Sequence, residues 1–416
     1  MHIFKGGWKW VPSLYFAEGL PYVIVITMSV IMYKNLGISN AEIAFYTSWF
    51  YLPWVVKPFW SPFVDLLKTK RWWIVVMQSL LGVGFASVAF LIPASFFFQS
   101  TLAVFWIMAF CSATHDIAAD GFYMMAQNEA DQSFFVGVRN IFYRVAMVTG
   151  QGFLVMLAGM LSRYMNDVQK AWSIVFLIVA GLMLAMAIYH YFVLPRPKDD
   201  DAKTLSRFGD LFVSYFRRKG IVAALLFILL YRLGEAQLSK IAVPFLLDNV
   251  SSGGLGMSTE DVGFVYGTVG VVFLLIGGLA GGFVAARDGL RKWLWPMVFA
   301  MNVPNVVYVF LALAQPSSFA VVCSCVAVEQ LGYGFGFTAF TLYLIWFVRG
   351  EYQTAHYAIC TGFMALGMML PGMVSGFIEE CLGYSSFFVY VIICCLPGMF
   401  VVKFLDVDDG SKSVEG

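Results

Sequence analysis

The sequence predicts an all-α polytopic membrane protein of twelve transmembrane helices, arranged as two halves of six. Three observations carry that expectation. Of the 416 residues, 60% are hydrophobic and only 12% charged, about half the charge of an ordinary soluble domain. A water-soluble enzyme, nucleic-acid binder or disordered scaffold of this length is thereby excluded. The apolar residues fall in blocks of about 20, the length an α-helix needs to cross hydrocarbon, and lack the short alternating segments of a membrane barrel. The longest polar stretch, 195–220, lies near the middle of the chain and divides the blocks evenly.

In chain order the first half reads as spans at 11–34, 41–65, 72–93, 101–127, 134–161 and 170–194. The second half reads as 221–248, 260–286, 292–314, 318–348, 353–380 and 384–405. Pro93, Pro195 and Pro316 mark ends, as do the polar runs 128–132 and 251–254. Arg163, Asn166, Asp167 and Lys170 separate spans five and six. The first block is too long for a cleavable signal peptide and lacks a small-residue cleavage site, so it is expected to remain as a span. Lys and Arg gather on one set of loops, including Lys5, Lys9, Lys68, Lys70, Arg71, the 195–220 connection, Arg287, Arg291, Lys292 and Arg349. The opposite loops hold Lys34, Arg163 and Lys170. Basic residues accumulate on the cytoplasmic side, which places both termini there in a bacterial inner membrane. The net charge of +1 averages over this polarity and says nothing of partners. The seven cysteines lie in or beside apolar blocks, without zinc-ligand or disulfide-framework spacing, and read as small packing residues.

The expected domains are 1–194 and 221–416, six helices each, joined by a cytoplasmic linker at 195–220 with a short amphipathic helix. A repeat supports this division. After span eight stand Gly282, Arg287, Gly289, Arg291 and Lys292. At the equivalent place after span two stand Asp65, Lys68, Lys70 and Arg71. A carboxylate at a helix end beside a basic loop can clasp neighbouring helices in one conformation and release them in another. Asp65, Arg71, Arg287 and Arg291 are the clasp candidates. Ala286 stands where the motif of the second half carries its acid, which makes Asp65 the better clasp carboxylate. Both sites resemble the inner-loop motif of the major facilitator superfamily, and the six-plus-six layout with a basic central loop is that superfamily's layout. Glycines four apart in span eight (Gly263/Gly267, Gly277/Gly281, Gly278/Gly282) and Gly332, Gly334 and Gly336 in span ten predict close helix packing. No strand precedes the glycines of span ten and no phosphate-binding lysine follows, so they are not a nucleotide loop.

Ionisable groups inside spans cost about 2.5–3.5 kcal/mol each even on the mild insertion scale, and so point to function. Span one carries Glu18 beside Gly19 and Pro21, and span two carries Lys57. Asp116 and Asp120 in span four are one turn apart on one helix face. Two such carboxylates disfavour double ionisation unless a cation sits between them, so they are proton-coupling candidates, with Glu329 of span ten as another. The rival reading pairs each Asp permanently with Arg139, Arg144 or Lys57 as a structural lock. Asn140, Arg144 and Gln151 form a polar stripe on span five. Arg232, Glu235 and Gln237 lie on span seven, where the Arg232 fork suits anionic oxygens. With Glu18 and Lys57 they are substrate-binding candidates. His115 reads as a packed histidine and His190 as interfacial. Nothing in the sequence calls for a cofactor, a metal or a catalytic residue. The expected partners are a small molecule, protons and the lipid bilayer.

Five strings taken together are more specific. Gly19-Leu-Pro21, Lys57 through Asp65, Asp116-Ile-Ala-Ala-Asp120-Gly, Tyr231-Arg-Leu-Gly-Glu235-Ala and Glu329-Gln-Leu-Gly-Tyr-Gly together span both halves. They resemble the AmpG-type permeases and the related acetyl-CoA transporter family. The resemblance implies a proton-coupled symporter that imports anhydro-muropeptides across the inner membrane in peptidoglycan recycling. It places Asp116, Asp120, Glu235 and Glu329 at acidic positions of that pattern, and Lys57 and Arg232 at basic ones. The run Gly-Phe-Tyr-Met-Met after Asp120 departs toward the acetyl-CoA branch. A carrier of another sugar, sugar acid or acyl-CoA-like compound, or a non-transporting receptor for wall fragments, therefore stays open.

Overall fold

The computed structural model describes residues 6–127, 129–196, 208–350 and 353–405, and among these every regular element is helical. Eleven segments are long and apolar enough to cross a membrane: Gly7–Asn35, Lys70–Leu91, Phe97–Ala126, Gly137–Met165, Val168–Val193, Ile221–Leu247, Thr259–Asp288, Leu290–Ala314, Phe319–Phe347, Ala355–Leu382 and Tyr384–Phe404. The remaining expected span, the second, is an unbroken helical run over 40–67. Its Lys57, prolines and ring hydroxyls make it less apolar than its neighbours.

Local chemistry sets the ends. Asn166 adopts a left-handed conformation (φ 50°) that stops the fifth span. The Asp167 side chain then accepts the Lys170 amide and caps the sixth. That bond and the Lys170 ammonium hold the Asp167 carboxyl below its ordinary range. Thr69 caps the third span by accepting from the Trp72 amide, and Ser258 caps the eighth through the Asp261 amide. Gly289 (φ 83°) ends the eighth. Three spans are interrupted by π turns, at Ile24–Met28, Val148–Phe153 and Val265–Gly270, irregularities that recur at functional positions.

The chain forms two compact units. The first holds Met1–Ile38, Trp49–Ser206 and Ser258–Gly267, and the second holds Ser39–Ser48, Arg207–Met257 and Thr268–Gly416. Within the first unit, span three packs on spans four and six, span one on span five, and span two on span four. Within the second, span nine packs on ten and twelve, seven on eleven, and eight on ten. Adding six to each number converts the first set of pairs into the second. The short outlying segments obey the same rule. Asn40–Ser48 packs on span eleven inside the second unit, and Thr259–Phe264 packs on span five inside the first.

Glycines permit the closest of these approaches. A side chain on Gly277 would run into the Leu331 carbonyl, and one on Gly334 into the Leu274 carbonyl, so spans eight and ten meet backbone to backbone. In the first unit Gly267 rests against Gly152 in the same way.

Candidate functional site

In the first unit the polar side chains of spans one, two, four and five converge. The Lys57 ammonium forms an ion pair with Asp116. Arg139 pairs with Asp120 at 3.0 Å, and Tyr15 donates its hydroxyl to the same carboxylate at 3.2 Å. The Arg139 guanidinium lies over the rings of Tyr15 (4.5 Å) and Tyr123 (5.4 Å). Those rings confine it and leave its edge for the carboxylate. Glu18 is buried within electrostatic reach of Asp116, Asp120, Lys57 and Arg139. Its Oε2 has no hydrogen-bond partner among the described residues. Three carboxyls therefore face two cations. The one-turn spacing of Asp116 and Asp120 puts both toward this cluster, each with its own cation.

The stripe expected on span five is only partly realised. Arg144 makes no ion pair among the described residues, and its Nη1 lies 3.3 Å from the Met147 sulfur. Asn140 is exposed, whereas Gln151 is buried inside the π turn Val148–Phe153. The extra residue in that turn shifts the helix phase, so regular spacing does not carry from Asn140 through Gln151.

Deeper in the same unit runs a polar chain. The Ser13 hydroxyl lies 2.9 Å from His190 Nε2, His190 Nδ1 is 2.9 Å from the Gln78 carbonyl oxygen, and the Gln78 amide nitrogen is 2.9 Å from His115 Nε2. The Gln78 amide fixes the direction: its oxygen accepts from His190 Nδ1–H and its nitrogen donates to His115, so His115 Nε2 is an unprotonated acceptor. His115 is packed as expected. His190 is fully buried: Gln78, on a different helix, replaces the water an exposed ring would need.

The second unit holds its own cluster. Arg232 donates to the Tyr333 hydroxyl at 2.6 Å and lies 5.1 Å from the Phe337 ring. It is also the charge that acts on buried Glu235. Glu329 is 1% exposed, accepts from the Gln330 amide at 2.9 Å, and feels the charge of Glu235. Among the described residues no partner reaches Glu235 Oε2, while Tyr308 lies within hydrogen-bond reach of the Glu329 carboxyl. Gln237 is buried, and its amide donates to the Leu233 carbonyl of its own helix at 3.3 Å and lies within hydrogen-bond reach of Tyr390. The closeness of Glu235 to Glu329 joins spans seven and ten, and a single sequence gives no sign of it. Lys240, also buried, donates to Thr47 at 2.9 Å.

Of the clasp candidates, the Asp65 side chain lies outside the described residues. Arg71 binds the carbonyls of Leu194 (3.2 Å) and Tyr191 at the end of span six. Arg287 pairs with Asp288 at 2.9 Å, and Lys292 and the Trp293 indole converge on that same carboxylate. Arg291 is exposed. Asp288 is thus the carboxylate that gathers cations after span eight. It was legible beside Arg287 but displaced from the place where the motif carries its acid.

Among the described residues, eleven apolar spans and the helical run 40–67 fall in two repeating sets, with charges of both signs buried in each, and define a polytopic membrane transporter. The chain belongs to the Major Facilitator Superfamily, whose model matches residues 13–370. It is 26% identical over 410 residues to a Rickettsia conorii protein that carries the name AmpG 4, covering 94% of each chain. It is 25% identical over 406 residues to the anhydromuropeptide permease of Escherichia coli K12, covering 93% of this chain and 77% of that one. Among solved structures it resembles a nucleoside transporter, NupG, at a TM-score of 0.75 and 13% identity, over 96% of this chain and 100% of that one. The D-xylose-proton symporter matches at 0.72 and 10% identity, over 97% and 98%. These last two likenesses concern the fold.

Proposed function

We propose that this transporter imports anhydro-muropeptides or related amino-sugar fragments across the bacterial inner membrane, driven by protons, by alternating access of its two six-helix halves, 1–194 and 221–416. The observation that carries the coupling is the surplus of carboxyls over cations: Glu18, Asp116 and Asp120 against Lys57 and Arg139, and Glu235 and Glu329 beside Arg232. An unmatched carboxylate in a low-dielectric site is costly, and taking up a proton removes that cost. Protonation of Asp116, Asp120 or Glu329 releases its cation or neighbour to re-pair as the halves move. The cargo is drawn from the E. coli relative, an anhydromuropeptide permease, and from the fit of Arg144 and Arg232 to carboxylates and of Asn140, Gln151 and Gln237 to amide and hydroxyl groups. Both termini face the cytoplasm in this reading.

The test is uptake of labelled anhydro-muropeptide into proteoliposomes carrying an imposed proton gradient. Wild type accumulates the label and loses accumulation when the gradient is collapsed. Asp116→Asn and Asp120→Asn abolish gradient-driven accumulation without lowering expression. Gradient-driven uptake at wild-type rate by both variants overturns the coupling role. Binding without accumulation by wild type identifies a receptor.

A further inference from the structure

Outside the charged clusters, one hollow has a composition of its own. About 490 Å³ in volume, it is lined by Arg218, Lys219, Trp346, Phe347 and Arg349, all of the second unit. Among the described residues, three cations and two aromatic rings face it and no acid lines it. None of the three cations makes an ion pair among the described residues.

The hollow is also built. Arg218 donates through Nη1 to His356 Nδ1 at 2.8 Å and through Nη2 to the Arg349 carbonyl at 2.5 Å, and its guanidinium lies 5.5 Å from the Phe347 ring centroid. A guanidinium can only donate, so His356 accepts at Nδ1 and donates its Nε2–H to Ser214, 2.9 Å away. His356 is 2% exposed. This chain fixes the direction of Arg218 and holds the end of span ten to the connection before span seven.

Position argues for the occupant. The hollow lies where Phe319–Phe347 ends and Ile221–Leu247 begins, at the rim of the membrane-crossing helices. The linker helix Phe208–Phe216 adjoins it. Tyr215 and Phe212 of that helix pack into the core of the second unit, while Val213 and Phe216 are turned outward, about half exposed. A short helix with one face docked and apolar side chains on the other lies in the interfacial plane. Cations beside such a helix attract the acidic headgroups of the same leaflet, and a tryptophan at that level suits the headgroup region.

We propose that this hollow is a binding site for the phosphate headgroup of an acidic phospholipid. Arg218 is the fixed phosphate ligand, Lys219 and Arg349 are the outer charges, and Trp346 stands as the wall on the glycerol side. The site is independent of the cargo and of proton coupling.

The probe is spin-labelled phosphatidylglycerol in phosphatidylcholine vesicles holding the full chain, read as the share of label immobilised by the protein relative to spin-labelled phosphatidylcholine. Wild type prefers phosphatidylglycerol. Lys219→Gln and Arg349→Gln each lower that preference by about fivefold, in line with the usual contribution of one basic residue near a charged leaflet. Neither side chain anchors the fold, so the melting temperature stays at the wild-type value. Lys68→Gln, a comparable exposed charge in the other unit, leaves the preference intact. A Lys219→Gln/Arg349→Gln double variant with wild-type preference overturns the proposal. So does an equal loss in Lys68→Gln, which reports general surface charge, or displacement of the lipid by millimolar inorganic phosphate, which reports a site for soluble anions.

Discussion

At the scale of single residues, the Lys57–Asp116 pair joins spans two and four through charges about one-fifth exposed. Removing one partner of such a pair leaves the other charge uncompensated, typically at a cost of 3–5 kcal/mol, whereas removing both costs much less. Lys57→Ala is therefore expected to lower the melting temperature of the detergent-purified protein, and Lys57→Ala/Asp116→Asn to recover most of the loss. A double variant no more stable than the single one counts against a direct pairing. Sequence spacing alone put Asp116 and Asp120 on one face and named Lys57 and Arg139 among their possible partners. It did not assign which cation serves which acid, because that depends on how spans two and five are rotated against span four. Glu235 and Glu329, nearly a hundred positions apart, show the same limit. Each was visible as a buried acid, and their closeness exists only once spans seven and ten are packed.

At the scale of elements, the glycines of spans eight and ten do not contribute equally. A methyl on Gly277 meets a backbone carbonyl that has no room to yield, whereas one on Gly282 meets nothing within 4 Å. Overpacking of a tight contact costs about 1–3 kcal/mol. Gly277→Ala is thus predicted to lower the melting temperature and Gly282→Ala to leave it unchanged, checked by thermal unfolding in one detergent. The four-residue spacing marked both glycines alike, since a repeat identifies a face and not the partner it meets. The π turns are not legible at all: nothing in the composition of 148–153 distinguishes an i→i+5 turn from ordinary helix, so regular spacing places Gln151 on one stripe with Asn140 although it lies inside the turn. Helix ends fared better, because Asn166, Asp167 and Gly289 act through their own side chain or their own φ.

At the scale of the whole molecule, the loop charges make a claim about direction. With basic residues inside, Lys170 faces the periplasm and Lys403 the cytoplasm. Single cysteines placed at those two exposed positions in a background with the native cysteines replaced should react with a membrane-impermeant maleimide in intact spheroplasts at the first and not the second. The reverse pattern inverts the topology and with it the direction of import. The six-plus-six count was readable from block length and the central polar stretch, but the reciprocal placement of 39–48 and 258–267 was not, since both look like ordinary beginnings of spans. That placement has a consequence for anyone dividing the gene at the linker. A fragment ending at residue 206 lacks the stretch that caps its own fifth span, and the fragment beginning at 207 lacks the one that lies along its eleventh. Neither product is a finished folding unit, and each carries, at the start of one of its own spans, the piece its counterpart is missing.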